Sequence, residues 1–206
     1  MISRRRAIQS GLVALALAMP AGHVMADAPP KGAVTTIQAF YAQLSATMKN
    51  GPSLGFSGRR DRLEGAVKRA FDLPQMTRLA VGPRWRTMSP QQQSELIAAF
   101  GDYSAATYAS RFTHDNGLRF EVNPAVTTSQ DGIIVHTQLA GTGDAPVQLD
   151  YLMKANGGGW KIEDVYLSGT ISELATRRSE FTAVLDRGGP QALVDALRKK
   201  ASADQG

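Results

Sequence analysis

The sequence predicts an α+β fold, and three observations predict it. Apolar residues recur at helical spacing through the first half, the period drops to two from Leu118, and helical spacing returns after Gly169. Helices, then strands joined by short links, then helices again are expected when helices cover one face of an antiparallel sheet. A parallel α/β fold would interleave them. No internal repeat or low-complexity linker divides the chain, so residues 27–206 are expected to form a single domain.

The elements follow in order. Val34, Ile37, Tyr41, Leu44 and Met48 step by three and four, which predicts an amphipathic helix ended by Gly51-Pro52. Residues 54–58 read as a loop. A second helix is expected from Ser57 or Gly58, with Leu63, Val67, Ala70 and Phe71 on one side. Asp72 before Leu73-Pro74 predicts a capped third helix closed at Gly82-Pro83. Ser89-Pro90-Gln91-Gln92 has the layout of a capping box and predicts a long helix from Pro90 to about Phe112, carrying Leu96, Phe100, Tyr103, Thr107 and Tyr108 inward. Four strands should follow, on Leu118 to Val122, Ile133 to Leu139, Val147 to Met153 and Trp160 to Leu167. Their links are short and rich in glycine, so the strands should form an antiparallel, twisted four-stranded meander. Two closing helices are expected, from about Ile171 to Asp186 and from Pro190 to Lys200, with Gly188-Gly189 between them.

The first 26 residues read as a cleavable export signal. Arg4, Arg5 and Arg6 precede an apolar run from Ala7 to Ala18, and Val24-Met25-Ala26 supplies small residues for a cut. A run of about a dozen residues falls short of the roughly 20 that a spanning helix needs. The Ser3-Arg4-Arg5-Arg6-Ala7-Ile8 string is similar to a twin-arginine signal, and the general and twin-arginine routes both stay open. The signal holds three of the 23 basic residues and none of the 18 acidic ones, so the remainder carries a net charge of only +2. No run of Lys or Arg remains there to grip nucleic acid. Cysteine is absent, so an oxidising compartment is tolerated and stability must come from a packed core.

Catalytic patterns are sparse. Beyond the signal the histidines are His114 and His136, without the spacing of a metal site, and they read as surface or internally satisfied groups. No nucleophile elbow, Walker or dinucleotide glycine motif occurs. Gly157-Gly158-Gly159 lies between two strands and reads as a hairpin turn. Glu163 and Asp164 are neighbours on a strand, expected on opposite faces and solvated. Asp150 beside Tyr151 has the ingredients of a small isomerase or hydrolase-like enzyme in a cone-shaped α+β fold, although alternation turns the two side chains apart. What remains is apolar supply, which the composition alone does not assign to a filled core or a lined cavity.

Phe71-Asp72-Leu73-Pro74-Gln75-Met76-Thr77-Arg78-Leu79-Ala80-Val81-Gly82, then Trp85, Met88-Ser89-Pro90-Gln91-Gln92-Gln93 and Phe100 carry a resemblance. It continues through Val147-Gln148-Leu149-Asp150-Tyr151, Trp160-Lys161-Ile162-Glu163-Asp164-Val165, Gly169-Thr170-Ile171-Ser172 and Arg177-Arg178-Ser179-Glu180-Phe181. Over 34–200 the chain resembles the MlaC family of periplasmic phospholipid-binding proteins, also called toluene-tolerance proteins. Met48-Lys49-Asn50-Gly51-Pro52, Leu54-Gly55-Phe56 and the 171–181 segment look most like its hopanoid-associated branch, HpnM.

The resemblance implies helices over a twisted sheet with an apolar cavity for lipid tails, and no catalysis or cofactor. It implies a phospholipid or hopanoid cargo, carried in the periplasm between an inner-membrane transporter of the MCE and ABC type and an outer-membrane lipoprotein complex, with transient contact at the membrane surface. By analogy and alternation, Val81, Trp85, Phe100, Tyr103, Phe120, Leu149, Tyr151, Val165 and Ile171 are expected to line the slot. Arg84, Arg86 or Arg177 would meet a lipid phosphate at the mouth.

Overall fold

The computed structural model describes residues 31–141 and 145–203, so the expected export signal lies outside the described residues. The chain runs α1 (Lys31–Lys49), α2 (Gly51–Ala70), α3 (Leu73–Val81), a 3-10 turn (Gly82–Thr87), α4 (Pro90–Arg111), β1 (Arg119–Ser129), β2 (Gly132–Ala140), β3 (Val147–Asn156), β4 (Gly159–Leu167), β5 (Ile171–Ser172) and α5 (Glu173–Ser202). This is the expected α+β order. Among the described residues, no helix is long and apolar enough to cross a membrane.

Local chemistry explains most boundaries. Asp72 caps α3 by accepting from the Gln75 N–H at 3.0 Å. Ser89 and Gln92 complete a reciprocal capping box at the start of α4, at 3.2 and 2.9 Å. The expected loop at 54–58 is replaced by helix. Pro52 starts a helical turn at Gly51, and only Gly55, at φ 60°, interrupts it before the rest of α2 continues. The two expected closing helices are joined in the same way, as one element kinked at Gly189 (φ 69°) beside Pro190.

The sheet is antiparallel throughout and ordered β1-β2-β3-β4-β5. It has one strand more than expected, because Ile171–Ser172 does not begin a helix. These residues pair back onto Leu167 and Tyr166 of β4, and Ser172 then caps α5 by accepting from Ala175 N–H at 2.9 Å. β1 also runs past Val122, through an irregularity between Val122 and Val126 where Pro124 cannot donate to the ladder.

Glu163 and Asp164 depart from their solvated expectation, since both are buried. Met153 pairs with Ile162 and Leu152 with Asp164, so Glu163 is an extra residue and the strict alternation breaks there. Glu163 pairs with Lys154 at 3.0 Å, and Asp164 accepts from the Val165 and Leu174 N–H groups at 2.7 and 3.0 Å. Asp164 thereby ties the start of α5 to β4.

The helices pack on the face of the sheet that carries Val135, Tyr151, Val165, Met153 and Ile162. α4 is the middle helix, contacting α2, α3 and α5, which is why apolar residues occur nearly all round it. Gly51 permits the tight corner between α1 and α2, because a Cβ there would lie 1.8 Å from the Thr113 carbonyl oxygen just beyond α4. Arg59 closes that corner, donating to the carbonyls of Ala109 at 2.8 Å and Gly51 at 3.3 Å.

Candidate functional site

A cavity of about 240 Å³ opens at the end of the helix–sheet interface remote from the Gly157-Gly158 hairpin. α4 supplies Phe100, Tyr103, Ser104, Thr107, Tyr108 and Arg111 at helical spacing, so one stripe of the helix forms a wall. The sheet supplies Leu139, Val147, Leu149, Val165 and Leu167, the inward set of β2, β3 and β4. Phe71, Met76 and Phe112 close the back, and Glu173, Leu174 and Arg177 from the first turns of α5 complete it.

The Ser104 and Thr107 hydroxyls are already spent. Ser104 donates to the Phe100 carbonyl at 2.7 Å and Thr107 to the Tyr103 carbonyl at 2.9 Å. Both therefore present carbon to the cavity. Charge in the lining is confined to Arg111, Glu173 and Arg177, and the other polar groups of the wall are the phenols of Tyr103 and Tyr108. Arg177 is held by Glu173 at 3.3 Å and Glu180 at 2.9 Å, with its guanidinium 5.2 Å from the centre of the Tyr103 ring. Burial alone would lower the Arg177 pKa, but Tyr103, Glu180 and Glu173 outweigh it and hold the group firmly charged.

Behind the cavity stands an aromatic partition. Tyr108 stacks on Phe112 at 6.0 Å, Phe112 contacts Phe120 at 5.5 Å, and Phe120 contacts Tyr41 at 4.6 Å. The Tyr41 hydroxyl donates to Tyr151 at 2.9 Å and lies 2.7 Å from Thr137 Oγ1, which donates to the Leu149 carbonyl at 2.6 Å. Burial pushes the Tyr41 phenol up to about 12, and it also pushes Tyr108 and Tyr151 well up. Beyond the partition lies a wider, open groove of about 580 Å³ between α1 and β1, whose lining includes Gln38, Lys49, Asp115, Arg119 and Glu121. So many charges unfit it for hydrocarbon.

Of the nine residues expected in the slot, the structure brings Phe100, Tyr103, Leu149 and Val165 together around the cavity. Tyr151 is buried behind it at 1% exposure, and Phe120 lies across the partition facing the α1–β1 groove. Val81 is buried at the end of α3, and Trp85 stands on the 3-10 turn. Ile171, 56% exposed, extends the cavity row outward, since Leu149, Leu167 and Ile171 are successive cross-strand partners. Arg84 pairs with Asp186 and Arg86 lies on the exposed side of the 3-10 turn, so of the three expected arginines Arg177 alone lines the cavity.

The family model described as MlaC protein matches residues 38–199. The chain belongs to the MlaC family. A solved structure of the phospholipid-binding protein from Ralstonia solanacearum, in complex with a phospholipid, is similar to it with a TM-score of 0.71. Identity is 24%, over 82% of this chain and 97% of that one, so this second likeness is one of fold.

In this MlaC chain Asp150 is 5% exposed and turns to the sheet face opposite Tyr151. Its Oδ2 lies 3.0 Å from His136 Nδ1 and accepts from Gln148 at 3.0 Å, while His136 Nε2 lies 2.9 Å from Thr127 Oγ1. Asp150 and Tyr151 therefore do not form the acid–tyrosine pair of an isomerase, and His136 is internally satisfied. Sequence reasoning missed Arg111, Thr107 and Tyr108 as cavity residues, although they continue the Phe100, Tyr103 stripe at three- and four-residue steps. It also missed Leu139, Val147, Leu167 and Leu174, which were legible only as general apolar supply.

Proposed function

We propose that this MlaC-family chain is a lipid carrier that works in the periplasm, holding the tails of a phospholipid or hopanoid in the cavity between α4, α5 and the sheet. One observation carries the reading: a largely apolar cavity in which Ser104 and Thr107 bond back to the helix, with charge confined to Arg111, Glu173 and Arg177. The phospholipid in the similar-fold Ralstonia protein and the family membership support the same cargo class. Burying a methylene contributes about 0.8 kcal/mol, so exposing two tails of about fifteen carbons costs roughly 20 kcal/mol or more. Free passage through water is therefore negligibly slow, and a carrier has work to do without chemistry.

At about 240 Å³ the cavity is smaller than the roughly 300–1,000 Å³ of most ligand sites, so loading widens it. The export signal and the family resemblance support the periplasm. The expected transporter of the MCE and ABC type at the inner membrane, and the lipoprotein complex at the outer one, would be its exchange partners. The exposed Val147 and Ile171 at the open end suit brief contact with a membrane surface during exchange. A binding protein is favoured over an isomerase or hydrolase because Asp150 and Tyr151 act on opposite faces.

The test is transfer of labelled lipid between donor and acceptor vesicles kept apart by a membrane that passes protein. Acceleration proportional to protein concentration is expected. Transfer no faster than in buffer would sink the carrier reading.

A further inference from the structure

Arg111 stands at the cavity without an assigned role. It is the last residue of α4, exposed, and lines the cavity together with Thr107 and Tyr108. Among the described residues Arg111 has no hydrogen-bond or ion-pair partner, whereas Arg177 is held between Glu173 and Glu180. Arg111 and Glu173 both act electrostatically on the Tyr108 phenol, in opposite senses, which sets the two charges around one side chain of the wall. A guanidinium presents a planar fork of donors that suits a phosphate, and a cation beside an apolar wall has less water to give up than one in the open. With Ser104 and Thr107 already bonded to backbone and Arg177 paired with two glutamates, Arg111 is the cation of the lining whose charge no carboxylate meets among the described residues.

Resting on the carrier reading, we propose that Arg111 anchors the phosphodiester of the bound lipid, so that this chain selects phosphate-bearing lipids over neutral ones with the same tails. Glycerophospholipids are then preferred cargo over diacylglycerol and over neutral polycyclic lipids such as hopanoids. The tails supply most of the binding free energy and the anchor supplies the discrimination. Arg177 shapes the wall over Tyr103 without serving as the anchor, because its charge is already paired with Glu173 and Glu180.

The experiment incubates the full chain with mixed vesicles holding phosphatidylethanolamine and diacylglycerol of identical tails, re-isolates the protein, and measures the molar ratio of the two extracted lipids. The wild type should favour the phospholipid by at least about tenfold, the worth of one charge-assisted hydrogen bond. Arg111→Gln should bring the ratio towards that of the vesicles while total lipid per protein stays within about twofold. Arg111→Lys should keep part of the preference, and Arg84→Gln all of it. Added inorganic phosphate should leave the ratio unchanged, because without tails it has little hold on the site. A wild-type ratio equal to that of the vesicles, an unaltered ratio in Arg111→Gln with a native melting temperature, or collapse of the preference on adding inorganic phosphate would each overturn the anchor. Pickup of neither lipid by the wild type would instead remove the carrier reading, and this proposal with it.

Discussion

The two ends of the helix–sheet interface are built from the same kinds of residue and behave as opposites. At the hairpin end, Met153, Ile162 and Trp160 meet α1 and α2 so closely that a Cβ on Gly32 would lie 2.8 Å from the Trp160 ring. Ile37, Met153 and Ile162 are fully buried there. At the other end Leu149, Leu167, Leu139 and Val147 face α4 and the start of α5 across a cavity, and Val147 is 50% exposed. The difference is one of partners, not of composition. Small residues let helices close on the sheet at the hairpin end. At the open end, bulky rings on α4 and the anchoring of α5 by Asp164 hold the layers apart.

That contrast breaks most visibly at the closed end. Met153→Ala should destabilise the fold by about 2–5 kcal/mol, because the vacated space has no room to collapse, while lipid pickup per folded molecule stays the same. Thermal unfolding monitored by circular dichroism checks this, and a loss within 1 kcal/mol would mean the end is not tightly packed. The open end should respond the other way. Leu149→Glu places a carboxylate on the cavity wall and should cut lipid pickup by about a hundredfold, on the order of 3 kcal/mol, with little change in melting temperature. Undiminished pickup from vesicles would move the lipid elsewhere.

Tyr41 sits between the two ends, and its titration sharpens the boundary. Its folded pKa of about 12 lies above the ordinary 10 because burial disfavours the phenolate. The neutral phenol therefore contributes stability fully present below pH 10 and lost as pH rises towards 12, on the order of a few kcal/mol at most. Unfolding midpoints measured from pH 9 to 12 should fall less steeply in Tyr41→Phe than in the wild type, and parallel curves would contradict the buried phenol. The smallest effect belongs to the surface. Arg84→Ala removes a half-exposed pair with Asp186, so stability should drop by less than about 1 kcal/mol and lipid pickup should not change.

How much of this was legible in the sequence follows from which signals are local. The capping residues Ser89, Gln92 and Asp72 and the turn glycines announced helix starts and hairpins, because each acts within four residues of itself. The fifth strand, Ile171–Ser172, was not legible, since two residues have no period and their pairing depends on the reversal at Ser168 (φ 51°) and Gly169 (φ 71°). Buried Glu163 and Asp164 were hidden for a related reason: the extra residue that breaks alternation shows only in the pairing with β3. Phe100, Tyr103, Leu149 and Val165 were placed by alternation and likeness. Whether an apolar residue lines space or fills it, as Tyr151 does, depends on how far apart the layers stand. Val81, Trp85 and Phe120 show the same limit.

If the open end holds lipid tails, the purified protein should carry them. Native mass spectrometry of protein purified without detergent, followed by organic extraction, tests it most directly. The expected result is a mass increment equal to one or more lipids in the wild type, recovered as lipid in the extract and lost in Leu149→Glu, but retained in Met153→Ala. Wild-type protein at its bare mass, with no lipid in the extract and none taken up from vesicles, would contradict it.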